Sequence, residues 1–348
     1  MLKLSEFDYE LSKDLIALEP PPRRPEARLL YVSRNGEEIS HHRFDDLLGF
    51  LTKGDILVLN NTKVIPARLF GRKATGGKIE GFLLEENPNH EWRVLLRPGG
   101  RVSKGAHLVF GENGISLQAE VLNDPCPNSV ERILRFLGGS EEIQEKIRKI
   151  GHVPLPPYIN RPDNDLDREL YQTVFAEKEG AVASPTAGLH FDRNLLDQIS
   201  NRGVEIVYVT LHVSYATFRP IHVEEIEKHE MFEERFEVTR EAARQLNCGL
   251  KEGRRIIACG TTSVRTLESA VNVAGEIVPQ QGKTRLFIYP PYPFKVVQGL
   301  ITNFHLPKSS LLLLVAAFLG KDKLFRAYEE AIQKGYRFYS YGDAMVIL

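Results

Sequence analysis

Cysteine is scarce in this 348-residue chain. Cys126, Cys248 and Cys259 are odd in number and show no C-x-x-C spacing, which argues against a disulfide framework and against a zinc site of the usual kind. Long apolar runs are absent too. The longest, Leu311 to Leu319, is about half of what a membrane span needs. Met1 to Glu10 carries Asp8 and Glu10 where a signal peptide would be apolar, so a reducing cytoplasm is the expected location, with no membrane association. The chain has no G-x-x-x-x-G-K-[ST] phosphate cradle and no G-x-G-x-x-G dinucleotide fingerprint. H-E-x-x-H and G-x-S-x-G are also missing, which speaks against a catalytic metal and against an α/β-hydrolase.

Charge is balanced overall, at a formal net −1, which argues against a surface that binds nucleic acid throughout. Its distribution is uneven. Residues 61–110 hold nine Lys/Arg against four acids, a local +5, so the remainder of the chain carries −6. One basic segment on an acidic molecule suits a local phosphate contact, or simply a solvated face of a small β domain.

The elements predicted from periodicity divide the chain in an unusual way. Asn35-Gly36 marks a hairpin, and Ile56 to Asn60 reads as a buried strand. Six short β-prone runs follow between about Pro66 and Leu137, at 67–72, 78–84, 92–96, 107–110, 115–122 and 130–136. Gly and Pro turns separate them at the spacing of a small barrel. After Ser140 the period becomes helical, with Ile143, Ile147 and Ile150 on one face. The proline-rich segment His152 to Tyr158 cannot be regular helix. Strand-to-helix units then cover 181–202, 255–273 and 296–320, with a further strand at 204–213. The expected fold is an α/β domain, a mixed sheet with flanking helices, built from residues 1–65 and 150–348, with an antiparallel β-barrel-like domain inserted at 66–149.

Four polar loops should lie beyond the carboxyl ends of strands, where open α/β sheets bind ligands. They are Ser184-Pro-Thr186-Ala-Gly-Leu-His190, Thr210 to Pro220 with His212, Thr217 and Arg219, Gly260 to Glu268 with Thr261, Thr262, Ser263 and Arg265, and Asn303 to Ser309 with His305 and Lys308. Each has a plainer reading. Thr261 to Ser263 are ordinary N-cap types, His190 and His212 fit hydrogen-bonded core histidines, and the leucine run after Ser310 is core packing. The start of the helix after Ser309 offers free N–H groups to an anion or carboxylate.

Several long motifs run from one end of the chain to the other. They include Asn60-Asn-Thr-Lys-Val-Ile-Pro-Ala-Arg68, His152-Val-Pro-Leu-Pro-Pro-Tyr-Ile159, Tyr171-Gln-Thr-Val-Phe-Ala176, Pro185-Thr-Ala-Gly-Leu-His-Phe191, Gly260-Thr-Thr-Ser-Val-Arg265, Thr302-Asn-Phe-His-Leu-Pro-Lys-Ser309 and Tyr339-Ser-Tyr-Gly-Asp-Ala-Met345. In these motifs the chain resembles the S-adenosylmethionine:tRNA ribosyltransferase-isomerases of queuosine biosynthesis. The resemblance implies transfer and isomerisation of the ribosyl moiety of S-adenosylmethionine onto the aminomethyl group of 7-aminomethyl-7-deazaguanine at the tRNA wobble position. Epoxyqueuosine-tRNA, adenine and methionine are the implied products. S-adenosylmethionine is then a substrate, no permanently bound cofactor is expected, and a monomer is the expected state. A conventional S-adenosylmethionine-dependent methyltransferase and a non-catalytic RNA-binding protein remain the alternatives.

That chemistry asks for a base near the sulfonium, for which the sequence offers His190 or His305 first and His212 third. Departing adenine needs a partner among Thr261, Thr262 and Asp343. The methionine carboxylate needs donors, from Arg265, Lys308 or the helix start at Ser309. Asn60, Thr186, Thr217, Arg219, Ser263 and Asn303 complete the expected substrate contacts. Tyr158, Phe191 or Tyr289 would stack on the extruded base, and Arg68, Arg72, Lys73, Arg23 and Arg24 would meet phosphates. The chain departs from the family pattern where Asn61 and Lys63 replace Asp and Arg, where Ser214-Tyr215-Ala216 replaces Gly-Ala-Gly, and at Ser184, Pro291 and Gln298.

Overall fold

The computed structural model describes residues 2–99, 102–111, 114–124, 130–218 and 221–348. A nine-stranded sheet runs in the order Gln280–Thr284, Glu234–Val238, Glu205–Leu211, Ile56–Asn60, Ile256–Cys259, Gly299–Asn303, Ala344–Ile347, Arg28–Val32 and Ile39–Arg43. Its centre is parallel, from Glu205–Leu211 through Gly299–Asn303. Antiparallel neighbours flank that centre on both sides. Strands from before and after the barrel segment therefore share one sheet.

Every residue of Ile56–Asn60, Ile256–Cys259 and Gly299–Asn303 is buried, as expected of parallel strands covered on both faces. Side chains alternate between the faces. Ile56, Val58, Ile256, Ala258 and Leu300 pack with the helices Arg240–Lys251, Gly260–Ala270, Ser310–Leu319 and Lys321–Gln333. Leu57, Leu59, Ile257, Cys259 and Ile301 pack with Phe44, Phe191 and the helix Arg193–Asn201.

The inserted segment is a closed antiparallel barrel of six strands, ordered Glu131–Phe136, Glu91–Arg97, Lys78–Asn87, Arg68–Lys73, His107–Phe110 and Leu117–Val121. Each coincides with one of the six predicted runs, within a few residues. Alternating burial, such as exposed-buried-exposed-buried over His107–Phe110, fills the interior with Leu69, Val94, Leu108, Phe110 and Leu134. The helix Ser140–Ile150 packs Ile143, Ile147 and Ile150 into the same cluster. The fold class thus matches the expectation: a mixed-sheet α/β layer carrying a β-barrel.

Locally the structure differs in one place. Thr261, Thr262 and Ser263 are not caps. The helix begins at Gly260 with φ +85°, placing them inside its first turn, and Ser263 Oγ donates back to Cys259 O at 2.7 Å.

Candidate functional site

The carboxyl ends of the four parallel strands bring the polar loops together, but in two separate neighbourhoods. The first is closed. His190, Asn303, His305 and Asp343 are all buried there. Asn303 Nδ2 lies 3.1 Å from Tyr339 O and 3.2 Å from His190 Nε2. The carbonyl fixes the amide orientation, so Nε2 of His190 accepts and its proton sits on Nδ1. Burial, followed by the Arg337 and Arg24 charges, pushes His190 down to about 3. His305 is also down to about 3 through burial, its Nε2 lies 2.7 Å from Thr302 Oγ1, and its N–H donates to Tyr328 OH. Asp343 accepts the N–H groups of Arg28 at 2.9 Å and Arg337 at 2.7 Å. It is a clip between chain segments, not a group facing a cavity.

The second neighbourhood is open. A cavity of about 250 Å³ lies between the barrel residues Leu84, Arg93 and Leu95 and the sheet-end residues His212, Ser214 and Glu234. A second cavity, about 400 Å³, takes in Thr217, Arg265, Ser310 and Leu311, and shares Ser214, Phe232 and Glu234 with the first.

Of the three candidate histidines, His212 lines the first cavity. Its Nδ1 lies 2.8 Å from Thr62 Oγ1. Nε2 has no hydrogen-bond partner among the described residues. Burial, with the Arg235 charge adding to it, lowers His212 to about 4, so the ring is neutral at pH 7. Gly180, at φ +144°, presses on this ring: a Cβ there would sit 2.9 Å from Nδ1.

Arg265 is buried behind the second cavity. Its Nε donates to Leu286 O at 3.0 Å, its Nη1 pairs with Glu234, and its Nη2 has no partner among the described residues. Glu234 also accepts Ser214 N–H at 2.8 Å and the Thr217 hydroxyl at 3.4 Å. Glu234 is not among the residues the sequence pointed to. In Glu234–Val238 it shares the buried face with Phe236 and Val238, and an acid on the apolar face of an alternating strand was the available signal.

The other candidates are scattered. Asn60 spends its whole amide internally, donating to Leu211 O and accepting from the N–H groups of Leu211 and Thr62. Thr186 is half-buried in the 3-10 segment Thr186–His190, and Thr261 is buried while the Thr262 hydroxyl has no partner. Lys308 pairs with Asp8 at 2.5 Å, and Ser309 caps the helix Ser310–Leu319 by accepting Leu312 N–H. Phe191 is wholly buried against Phe44, and Tyr158 packs on Tyr339 while its hydroxyl takes Ser340 N–H. Tyr289 lines a separate shallow hollow with Phe287 and Tyr292. Arg24 donates to Leu189 O and Glu169 O, and Arg68 pairs with Glu80. Arg23 and Arg72 are exposed, Lys73 is half-buried on the barrel, and Arg219 lies outside the described residues. Among the described residues no cluster of metal-ligating side chains occurs, and no helix is long and apolar enough to cross a membrane.

A family model described as "Queuosine biosynthesis protein" matches residues 4–347. The chain belongs to that family. A protein of Desulforamulus reducens named S-adenosylmethionine:tRNA ribosyltransferase-isomerase is 47% identical over 348 residues, covering all of both chains. One of the same name from Caldanaerobacter subterraneus is 49% identical over 350 residues, again covering all of both. Within the family, the crystal structure of S-adenosylmethionine tRNA ribosyltransferase from Thermotoga maritima is similar with a TM-score of 0.56 and 39% identity, over 99% of this chain and 100% of that one.

Proposed function

We infer that this chain is an S-adenosylmethionine:tRNA ribosyltransferase-isomerase acting in queuosine biosynthesis. The observation that carries the reading is the paired cavity between the barrel and the strand ends, within a chain matched to its namesakes from end to end. It joins a neutral histidine to a buried arginine, and one wall is the inserted barrel.

S-adenosylmethionine lies in this cleft as ribosyl donor. A base removes a proton from the carbon beside the sulfonium, whose charge stabilises the ylide. Adenine departs, the aminomethyl group of 7-aminomethyl-7-deazaguanine attacks, and epoxide closure expels methionine. His212 is assigned as the base ahead of His190 and His305, because it lines the cavity and its Nε2 is not taken by any described residue. Asp343, whose carboxylate is engaged by two backbone N–H groups, is set aside as partner of the departing adenine, which leaves Thr261 and Thr262 for that role. The phosphates of tRNA meet the barrel around Arg72 and Lys73.

With S-adenosylmethionine and tRNA carrying the 7-aminomethyl-7-deazaguanine wobble base, purified protein is expected to release adenine and methionine in equal amounts. S-adenosylhomocysteine would instead mark a methyltransferase. Tight tRNA binding without either product would mark an RNA-binding protein.

A further inference from the structure

The 400 Å³ cavity holds a combination that donor chemistry at large does not require. Arg265 is 5% exposed, yet its Nη2 has no partner among the described residues. A buried guanidinium N–H without an acceptor is costly, and such orphans are rare unless a ligand completes them. The rest of the guanidinium is held rigidly: Nε by Leu286 O and Nη1 by Glu234, which is itself tied to Ser214 N–H and Thr217. The lining also includes Ser310 and Leu311, the first residues of the ten-residue helix Ser310–Leu319. Their N–H groups have no acceptor within the helix, because only that of Leu312 is taken by the Ser309 cap. The Ser214 hydroxyl, on the same cavity, is likewise unpartnered.

We propose that this cavity is a carboxylate subsite for the free amino-acid end of the donor, with Arg265 Nη2 and the Ser310 and Leu311 N–H groups as donors and Glu234 as the positioning residue. A planar guanidinium together with a helix start matches the two oxygens of a carboxylate in geometry and in sign. Glu234 does not touch the ligand. It leaves the guanidinium one direction to face. The assignment rests on the ribosyltransferase reading, and it separates Arg265 from Lys308, which is paired with Asp8, and from Ser309, which is consumed as a cap.

The test compares two ligands that share a nucleoside and a sulfur but differ in the amino-acid end: S-adenosylmethionine and 5′-methylthioadenosine. Calorimetric binding is measured for the wild type, Arg265→Lys, Glu234→Gln and Ser310→Pro. Proline suits the first helical position, and Ser309 already has the extended backbone that a following proline prefers, so Ser310→Pro deletes one N–H while keeping the helix. Arg265→Lys and Ser310→Pro are each expected to weaken S-adenosylmethionine about tenfold or more and to leave 5′-methylthioadenosine unchanged. Glu234→Gln should do the same more mildly and raise KM more than it lowers kcat. Equal losses for both ligands, or none for either, would overturn the subsite while leaving the wild-type reaction intact. Wild-type protein that bound neither ligand would sink the donor reading and the subsite with it.

Discussion

His212 illustrates how a histidine's surroundings decide its use. Three histidines sit near the strand ends, all pushed down by burial, and His212 lines a cavity. Replacing it with glutamine is expected to lower kcat by between about 10² and 10⁴ at nearly unchanged S-adenosylmethionine affinity, as loss of a general base does. Turnover within a few-fold of wild type would remove His212 from that role. For His190 and His305 the expected effect is on stability. Their folded-state values, about 3, lie below the ordinary 6.5, so the unfolded chain takes up protons first as pH falls. Their neutral burial therefore adds stability fully above pH 6.5, and this is lost progressively as pH falls from 6.5 towards 3. Thermal melts of His190→Gln, whose side-chain oxygen can still accept from Asn303, should show a shallower fall of Tm over that range than wild type. An identical slope would contradict the assignment. Asp343 belongs to the same group of structural residues. Asp343→Ala strands two N–H donors at roughly 1 to 3 kcal/mol each, so Tm should drop while the folded fraction keeps its turnover. The sequence drew attention to His190, His305 and Asp343 because they lie in long polar motifs. Those motifs turn inward, and residue types alone do not say which polar groups are satisfied by one another. Glu234 was legible only through its place on an apolar strand face.

At the scale of elements, short strands punctuated by Gly and Pro were readable, and all six barrel strands were anticipated from turn chemistry. The nine-strand order was not readable, since pairing between Ile56–Asn60 and Glu205–Leu211 joins residues some 150 positions apart, and no local pattern encodes it. The strand Lys178–Ala181 carries a prediction of its own, because a Cβ at Gly180 would collide with the His212 ring. Gly180→Ala adds a methyl at a positive φ and against that ring, so kcat should fall by about 10²-fold through displacement of the imidazole. Unchanged kcat would show that the ring's position there is immaterial to the chemistry.

For the whole molecule, the balanced charge conceals one basic stretch, residues 61–110 at +5, against −6 in the remainder. Several of the barrel's cations are already neutralised in place: Arg68 by Glu80, and Arg93 by Glu85 and Glu131. Arg72 is exposed at the end of the strand Arg68–Lys73, and the tRNA contact should depend on this strand end. Changing Arg72 and Lys73 to alanine is expected to weaken tRNA binding and reduce the slope of log K against log salt by about 1 for each phosphate no longer neutralised, with S-adenosylmethionine binding unaffected. An unaltered slope would place the phosphates on another surface.

The most direct measurement follows the carbon skeleton of the donor. Two batches of S-adenosylmethionine, one labelled in the ribosyl carbons and one in the methyl group, are incubated with the protein and tRNA bearing 7-aminomethyl-7-deazaguanine. Ribosyl label is expected in the tRNA and methyl label in free methionine. Methyl label in the tRNA, or ribosyl label left entirely in small molecules, would contradict the ribosyltransferase-isomerase assignment.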